Sequence, residues 1–185
     1  MIGSKKGKGI MKKIALALAL TAGFVLAGYA EESSENPFQK ANEKYTQGKA
    51  MKGGWVKGKV EITEKDGKKV YTVTPDDPKI FGLIYCGDKV NVKAGDRIQA
   101  RIKASGKGKM FVAIWCYPER KEGAKKDTFL CAANSKRKAL TEESQELIFD
   151  VVIPDKEEIV SGRTAINFAG GSEVVIEEVE FKFAE

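Results

Sequence analysis

From residue 56 onward the chain alternates apolar and polar side chains with the period of two that a half-buried β-strand requires. Val56, Gly58, Val60 and Ile62 alternate with Lys57, Lys59, Glu61 and Thr63. Asp66-Gly67 then supplies the positive φ of a tight hairpin, residues 70–74 return, and Pro75-Asp76-Asp77-Pro78 stops the run. Residues 80–85 form a compact apolar strand. Ile98, Ala100, Ile102 and Ala104 share one face of the next strand, and Arg97, Gln99, Arg101 and Lys103 occupy the other. Ser105-Gly106-Lys107-Gly108 reads as a turn, after which residues 110–117 run back beside that strand. Leu147, Phe149, Val151 and Ile153 mark a further strand, and residues 164–169 and 173–183 finish the chain. About eight to ten short strands without helical periodicity predict an all-β, antiparallel sandwich, with a closed barrel as the competing architecture.

Ahead of the β region lies a different pattern. Met11-Lys12-Lys13 leads into an apolar run over residues 14–27 that closes at Gly28-Tyr29-Ala30. A charged start, an apolar centre and a small-x-small end make up a secretory signal. The run falls short of the roughly 20 apolar residues of a membrane-spanning helix, and Glu31-Glu32-Ser33-Ser34-Glu35 follows it directly. The predicted organisation is a signal peptide over residues 1–30 (with Met11 as an alternative start), a flexible leader over 31–54 with one short helix near 38–45, and a β-sandwich over 55–185. An uncleaved anchor is the alternative. The mature chain then has no transmembrane segment and works in the periplasm or outside the cell.

Cleavage changes the charge balance. The whole chain carries +6, but Lys5, Lys6, Lys8, Lys12 and Lys13 precede Glu31 and no acidic residue does. Subtracting those 5 from 32 leaves 27 basic against 26 acidic side chains. A nucleic-acid binder shows a basic excess on one face, so no nucleic-acid partner is expected.

The chain contains no histidine, which excludes Ser-His-Asp, Cys-His and His-based acid–base chemistry. A carboxylate pair could still cleave a glycoside. The candidates Glu146, Asp150, Glu177 and Glu178 lie on strands where solvent-facing charge is the ordinary outcome, so no catalytic residue is assigned. Three cysteines survive cleavage. A hairpin turning near Glu122-Gly123 sets Cys116 opposite Cys131, predicting a disulfide that closes a loop of about 15 residues and contributes about 3 kcal/mol. Cys86–Cys116 is the alternative pairing. Without histidine or a CxxC pair, a zinc site is not expected.

Three stretches together resemble a known family. Lys93-Ala94-Gly95-Asp96-Arg97-Ile98-Gln99-Ala100-Arg101-Ile102-Lys103-Ala104, Leu140-Thr141-Glu142-Glu143-Ser144-Gln145-Glu146-Leu147-Ile148-Phe149 and Val174-Val175-Ile176-Glu177-Glu178-Val179-Glu180-Phe181 are similar, in order and spacing, to strands of carbohydrate-binding module 4/9-like, galactose-binding-domain-like jelly rolls. The resemblance covers residues 55–183 and implies a jelly-roll β-sandwich that binds a polysaccharide or glycan. It departs where the family carries aromatic residues: Ile98 and Ser144 stand there, and Glu177-Glu178 replaces a paired Asp. The family also implies a structural calcium ion, with Glu178 as a ligand; no cofactor is otherwise required.

A sugar-binding sheet needs aromatic rings for the C–H face of a pyranose and polar groups for its hydroxyls. On residues 110–117 the even positions Met110, Val112, Ile114 and Cys116 read as core. The odd positions Phe111, Trp115 and Tyr117 then share the opposite face, with Gln99, Arg101 and Lys103 on the adjoining strand as hydroxyl partners. Those cations favour an acidic sugar. A register shift of one would instead bury Phe111 and Trp115, and Trp55 is an alternative platform residue. The expected function is a secreted, non-catalytic carbohydrate-binding sandwich for polysaccharide capture or adhesion. The alternative is a structural or protein-interaction sandwich docking to an envelope protein through a sheet edge. Exposure of Trp115 and Tyr117 beside Arg101 discriminates the two.

Overall fold

The computed structural model of the protein describes residues 36–39, 45–47 and 57–185, which belong to one compact unit, Ser34–Glu185. The expected signal peptide, most of the expected leader, Trp55 and Val56 lie outside the described residues. A seven-stranded sheet runs in the order β1 (Tyr45–Gln47), β4 (Phe81–Cys86), β11 (Ser161–Ala169), β7 (Lys109–Tyr117) and β8 (Cys131–Asn134), with short β5 (Val90–Asn91) beside β11 and β9 (Lys138–Ala139) beside β7. A five-stranded sheet runs β10 (Gln145–Val152), β6 (Arg97–Lys107), β12 (Glu173–Phe183), β3 (Lys68–Thr74) and β2 (Lys59–Lys65). Every pairing is antiparallel. The two sheets share no strand, so the architecture is a sandwich and the barrel alternative falls away.

The alternation read from the sequence sets the core. Ile98, Ala100, Ile102 and Ala104 of β6, Leu147, Phe149 and Val151 of β10, and Met110, Val112, Ile114 and Cys116 of β7 all point between the sheets and are buried. Ile84, Ile166 and Phe168 complete the layer from the seven-stranded side. The β2–β3 hairpin turns at Asp66-Gly67 with φ of 53° and 73°, as that dipeptide favours. Ile62, expected on the inner face of β2, is instead exposed near the hairpin end of this edge strand.

β12 changes parity part-way along. Val174 faces the core and Ile176 packs against it, but so do Val179, Phe181 and Phe183. A bulge at Glu177 makes the switch: Ile176 pairs with Ala104 and Glu178 with Lys103, leaving Glu177 as the extra residue.

The structure bears on three further expectations. Residues 105–108 do not close a hairpin. β6 ends in the five-stranded sheet and β7 starts one residue later in the other, so the chain crosses the sandwich there. Gly106 and Gly108 permit this with φ of 128° and 103°, and a Cβ at either would collide with Glu173 or Ser172. Second, the helix expected near 38–45 lies largely outside the described residues; of the stretch 31–54, Tyr45 opens β1, and Gln39 N–H donates to Asn36 O at 2.8 Å. Phe38 is 1% exposed, against Phe181 and Phe183 with ring centroids at 6.2 and 5.2 Å. Third, Cys116 and Cys131 stand directly opposite each other in the β7–β8 register, as the hairpin reading required, but both are free thiols in this structure. Cys86 is also free. It sits on β4, with β11 between it and β7, a separation of about 9.5 Å across two strand spacings that is too wide for the Cys86–Cys116 alternative.

Candidate functional site

The sandwich presents two outer faces of opposite chemical character. On the five-stranded sheet, charged side chains of β6 stand between those of β10 and β12. Arg101 donates to Glu180 at 2.9 Å and lies 3.6 Å from Glu146. Lys103 lies 3.3 Å from Glu177, and Gln99 donates to Asp150 at 3.3 Å. Glu177, placed by the bulge, also accepts from Lys68 and from the Ser144 hydroxyl, each at 2.9 Å. Lys68, then Ser144 and Lys103, hold its carboxyl down at about 2. This is a flat ladder of satisfied charges. Glu146 and Asp150 are exposed members of it, in line with their expected solvent-facing positions.

Gln99, Arg101 and Lys103 therefore belong to the ladder. The structure does not bring them to Phe111, Trp115 and Tyr117, because β6 and β7 lie in different sheets. Sequence alternation reports which side of its own sheet a residue occupies, and it is blind to which sheet the strand joins. Glu178 is 72% exposed, and among the described residues no three carboxylate or thiol side chains converge. That surrounding does not fit the six or more oxygen ligands a calcium ion takes.

The outer face of the seven-stranded sheet is aromatic and amide-bearing. The odd residues of β7 do share this face, as expected. Trp115 is half-buried, whereas Phe111 and Tyr117 are each only 5% exposed. Phe111 packs edge-on against Phe81 at 5.4 Å in a small cluster with Ala169. Tyr117 is held beneath Lys89 at 4.5 Å and Arg163 at 5.2 Å. Lys89 and Arg163 both reach Asp127, at 2.9 and 3.0 Å, and hold its carboxyl below the usual range, the Lys89 hydrogen bond most of all. Arg163 also donates to Gly87 O at 2.9 Å. Burial raises the Tyr117 hydroxyl pKa, with Arg163 opposing. Tyr117 thus braces a loop corner, and its ring is already engaged.

Trp115 has a partner that the sequence reading missed. Tyr85 of β4 stacks on it, with centroids 5.5 Å apart and planes inclined by 24°. The strand between them, β11, carries Ala165 opposite Tyr85 and Ala113. A methyl group at that position leaves room for two rings from non-adjacent strands to meet. One residue pair further along β11, Asn167 lies between Leu83 and Phe111. It is 0% exposed, and both polar atoms of its side-chain amide lack a hydrogen-bond partner. A buried amide without partners costs about 1–3 kcal/mol, and such a group in a native fold calls for a reason. Asn134 of β8 stands exposed beside Ala113. The available signal for Asn167 was a lone amide inside the apolar run 164–169. For Tyr85 it was an aromatic residue closing an apolar strand.

No family model and no curated protein matches this sequence. Among solved structures, the chain is similar to a CBM4 protein at 16% identity and a TM-score of 0.44, over 82% of this chain and 91% of that one. It is also similar to CBM29_1, a family 29 carbohydrate binding module from Piromyces equi, at 18% identity and a TM-score of 0.43, covering 75% and 90%. A third is BiXyn10A CBM1 in its apo form, at 12% identity and a TM-score of 0.42, covering 78% and 92%. These likenesses are in outline, and no family membership follows from them.

Proposed function

We propose that this protein is a non-catalytic carbohydrate-binding β-sandwich that works outside the cytoplasm, with its glycan on the outer face of the seven-stranded sheet. The observation that carries this is the half-buried Tyr85–Trp115 stacked pair with the exposed Asn134 amide on the same face. Stacked rings offer apolar surface to the C–H face of a pyranose, and an accessible amide suits sugar hydroxyls. On the opposite face the central charges Arg101, Lys103, Glu146, Glu177 and Glu180 are engaged with one another. Those pairs also occupy the carboxylates considered for glycoside cleavage: Glu146 with Arg101, Asp150 with Gln99, and Glu177 with two lysines. The apolar N-terminal run supports export.

The test is intrinsic tryptophan fluorescence of the protein titrated with neutral and acidic polysaccharides, with Trp115→Ala, Trp115→Phe and Asn134→Ala as controls. A saturable change is expected with one glycan class. It is lost in Trp115→Ala, and Asn134→Ala weakens the affinity. Trp115→Phe keeps an aromatic ring; its binding is followed by calorimetry because its fluorescence differs. No response from well-folded protein across the panel would move the reading to a structural or protein-docking sandwich.

A further inference from the structure

β8 and β9 both pair with β7, but not in one register. Asn134 stands opposite Ala113, and Ser135 N–H donates to Val112 O at 3.0 Å, whereas Lys138 stands opposite Met110. Lys136 and Arg137 together therefore face the single residue Phe111. The Ser135 hydroxyl stabilises this bulge by accepting from Val112 N–H at 3.0 Å and donating to Lys136 O at 3.1 Å. Bulges re-aim side chains, and here the side chain re-aimed is Arg137. Its guanidinium carbon lies 4.4 Å from the Phe81 ring centroid and 5.6 Å from that of Phe111.

Two aromatic rings thus brace an exposed guanidinium that makes no ion pair and no side-chain hydrogen bond among the described residues. Arg101 and Arg163, by contrast, are both neutralised by carboxylates. Arg137 borders a groove of about 410 Å³ whose other lining residues are Phe111, Asn134 and Ser135. No carboxylate lines it. The groove lies on the same outer face as the Tyr85–Trp115 pair, about 13 Å along β7 from Trp115 at the ordinary strand rise. A guanidinium held against aromatic rings keeps its hydrogen-bonding fork pre-organised for a planar carboxylate.

We infer that Arg137 selects an anionic glycan, binding a uronate carboxylate in the Phe111–Asn134–Ser135 groove while the same chain stacks at Tyr85–Trp115. This rests on the carbohydrate-binding reading and names its substrate class. An oligosaccharide, not a single sugar, would reach both places.

The experiment is calorimetric binding of an oligogalacturonate and of its carboxyl-reduced, neutral counterpart to the wild type, Arg137→Gln, Arg137→Lys and Trp115→Ala. The expected wild-type preference for the uronate form is about tenfold or more, the range for hydrogen bonds to a charged group. Arg137→Gln should erase that preference, lowering the affinity for the uronate oligomer more than for the neutral one. Arg137→Lys, which keeps the charge over the rings and loses the fork, should retain only part of it. Thermal unfolding monitors each variant, and Arg137→Lys decides if Arg137→Gln fails to fold. Equal wild-type affinity for both oligomers would overturn the inference and leave the carbohydrate reading standing. So would an equal loss for both in Arg137→Gln, or an undiminished preference in Arg137→Lys. Binding of neither oligomer by the wild type overturns the inference; loss of response across the wider glycan panel would in addition overturn the carbohydrate reading.

Discussion

Asn167 is the residue where the fold leaves a polar group unserved. Its amide is buried with no hydrogen-bond partner among the described residues, so an apolar side chain of similar size should serve the fold better. Asn167→Leu is expected to raise unfolding free energy by about 1–3 kcal/mol, measured by urea unfolding. A stability loss would mean that the amide is satisfied within the fold. Phe38 makes the converse case. It sits in a polar stretch, yet it is buried against Phe181 and Phe183. Phe38→Ala should cost about 3–5 kcal/mol in urea unfolding, whereas a mobile leader would show no change. Glu177 carries the pH dependence. Its carboxyl is lowered from 4.5 to about 2 by Lys68, Ser144 and Lys103, so its contribution is complete above about pH 4.5 and is lost as pH falls through about 2. The thermal midpoint of the wild type should exceed that of Glu177→Gln at pH 6, and the gap should close near pH 2.

At the scale of elements, period-two alternation named nearly every inward residue of β6, β7 and β10, because burial of one sheet face imposes it. Alternation could not say that β6 and β7 part company. That depends on Gly106 and Gly108 passing close to Glu173 and Ser172, contacts more than sixty residues away in sequence. Nor could it reveal the Glu177 bulge, where adjacent glutamates look alike on paper and diverge once one is left unpaired. The β7–β8 hairpin was legible because its polar loop, residues 118–130, carries a turn signal at Glu122-Gly123, and it brings Cys116 opposite Cys131. Burial pushes the Cys116 thiol up to about 12, so its thiolate is scarce at neutral pH and oxidation should be slow. Incubation with oxidised glutathione is expected to remove two hydrogens as the Cys116–Cys131 bond closes, releasing two reduced glutathiones. Intact mass and peptide mapping would report it, and the bond should add about 3 kcal/mol to stability. Persistent free thiols would show that the opposed pair cannot reach bonding geometry.

Across the whole molecule, the two outer faces divide the chemistry that the sequence reading had placed together. The cations Arg101 and Lys103 joined a ladder of glutamates, while the aromatic residues kept to the other sheet with Asn167, Asn134 and Arg137. The all-β class, the β2–β3 hairpin, the core faces and the lack of histidine chemistry followed from sequence because each is written in neighbouring residues or in composition. Which sheet each strand entered, which rings met across β11, and which rings came to lie under Arg137 were decided only on folding. Each joins residues far apart along the chain, through contacts whose favourable energy appears only after the sandwich has closed.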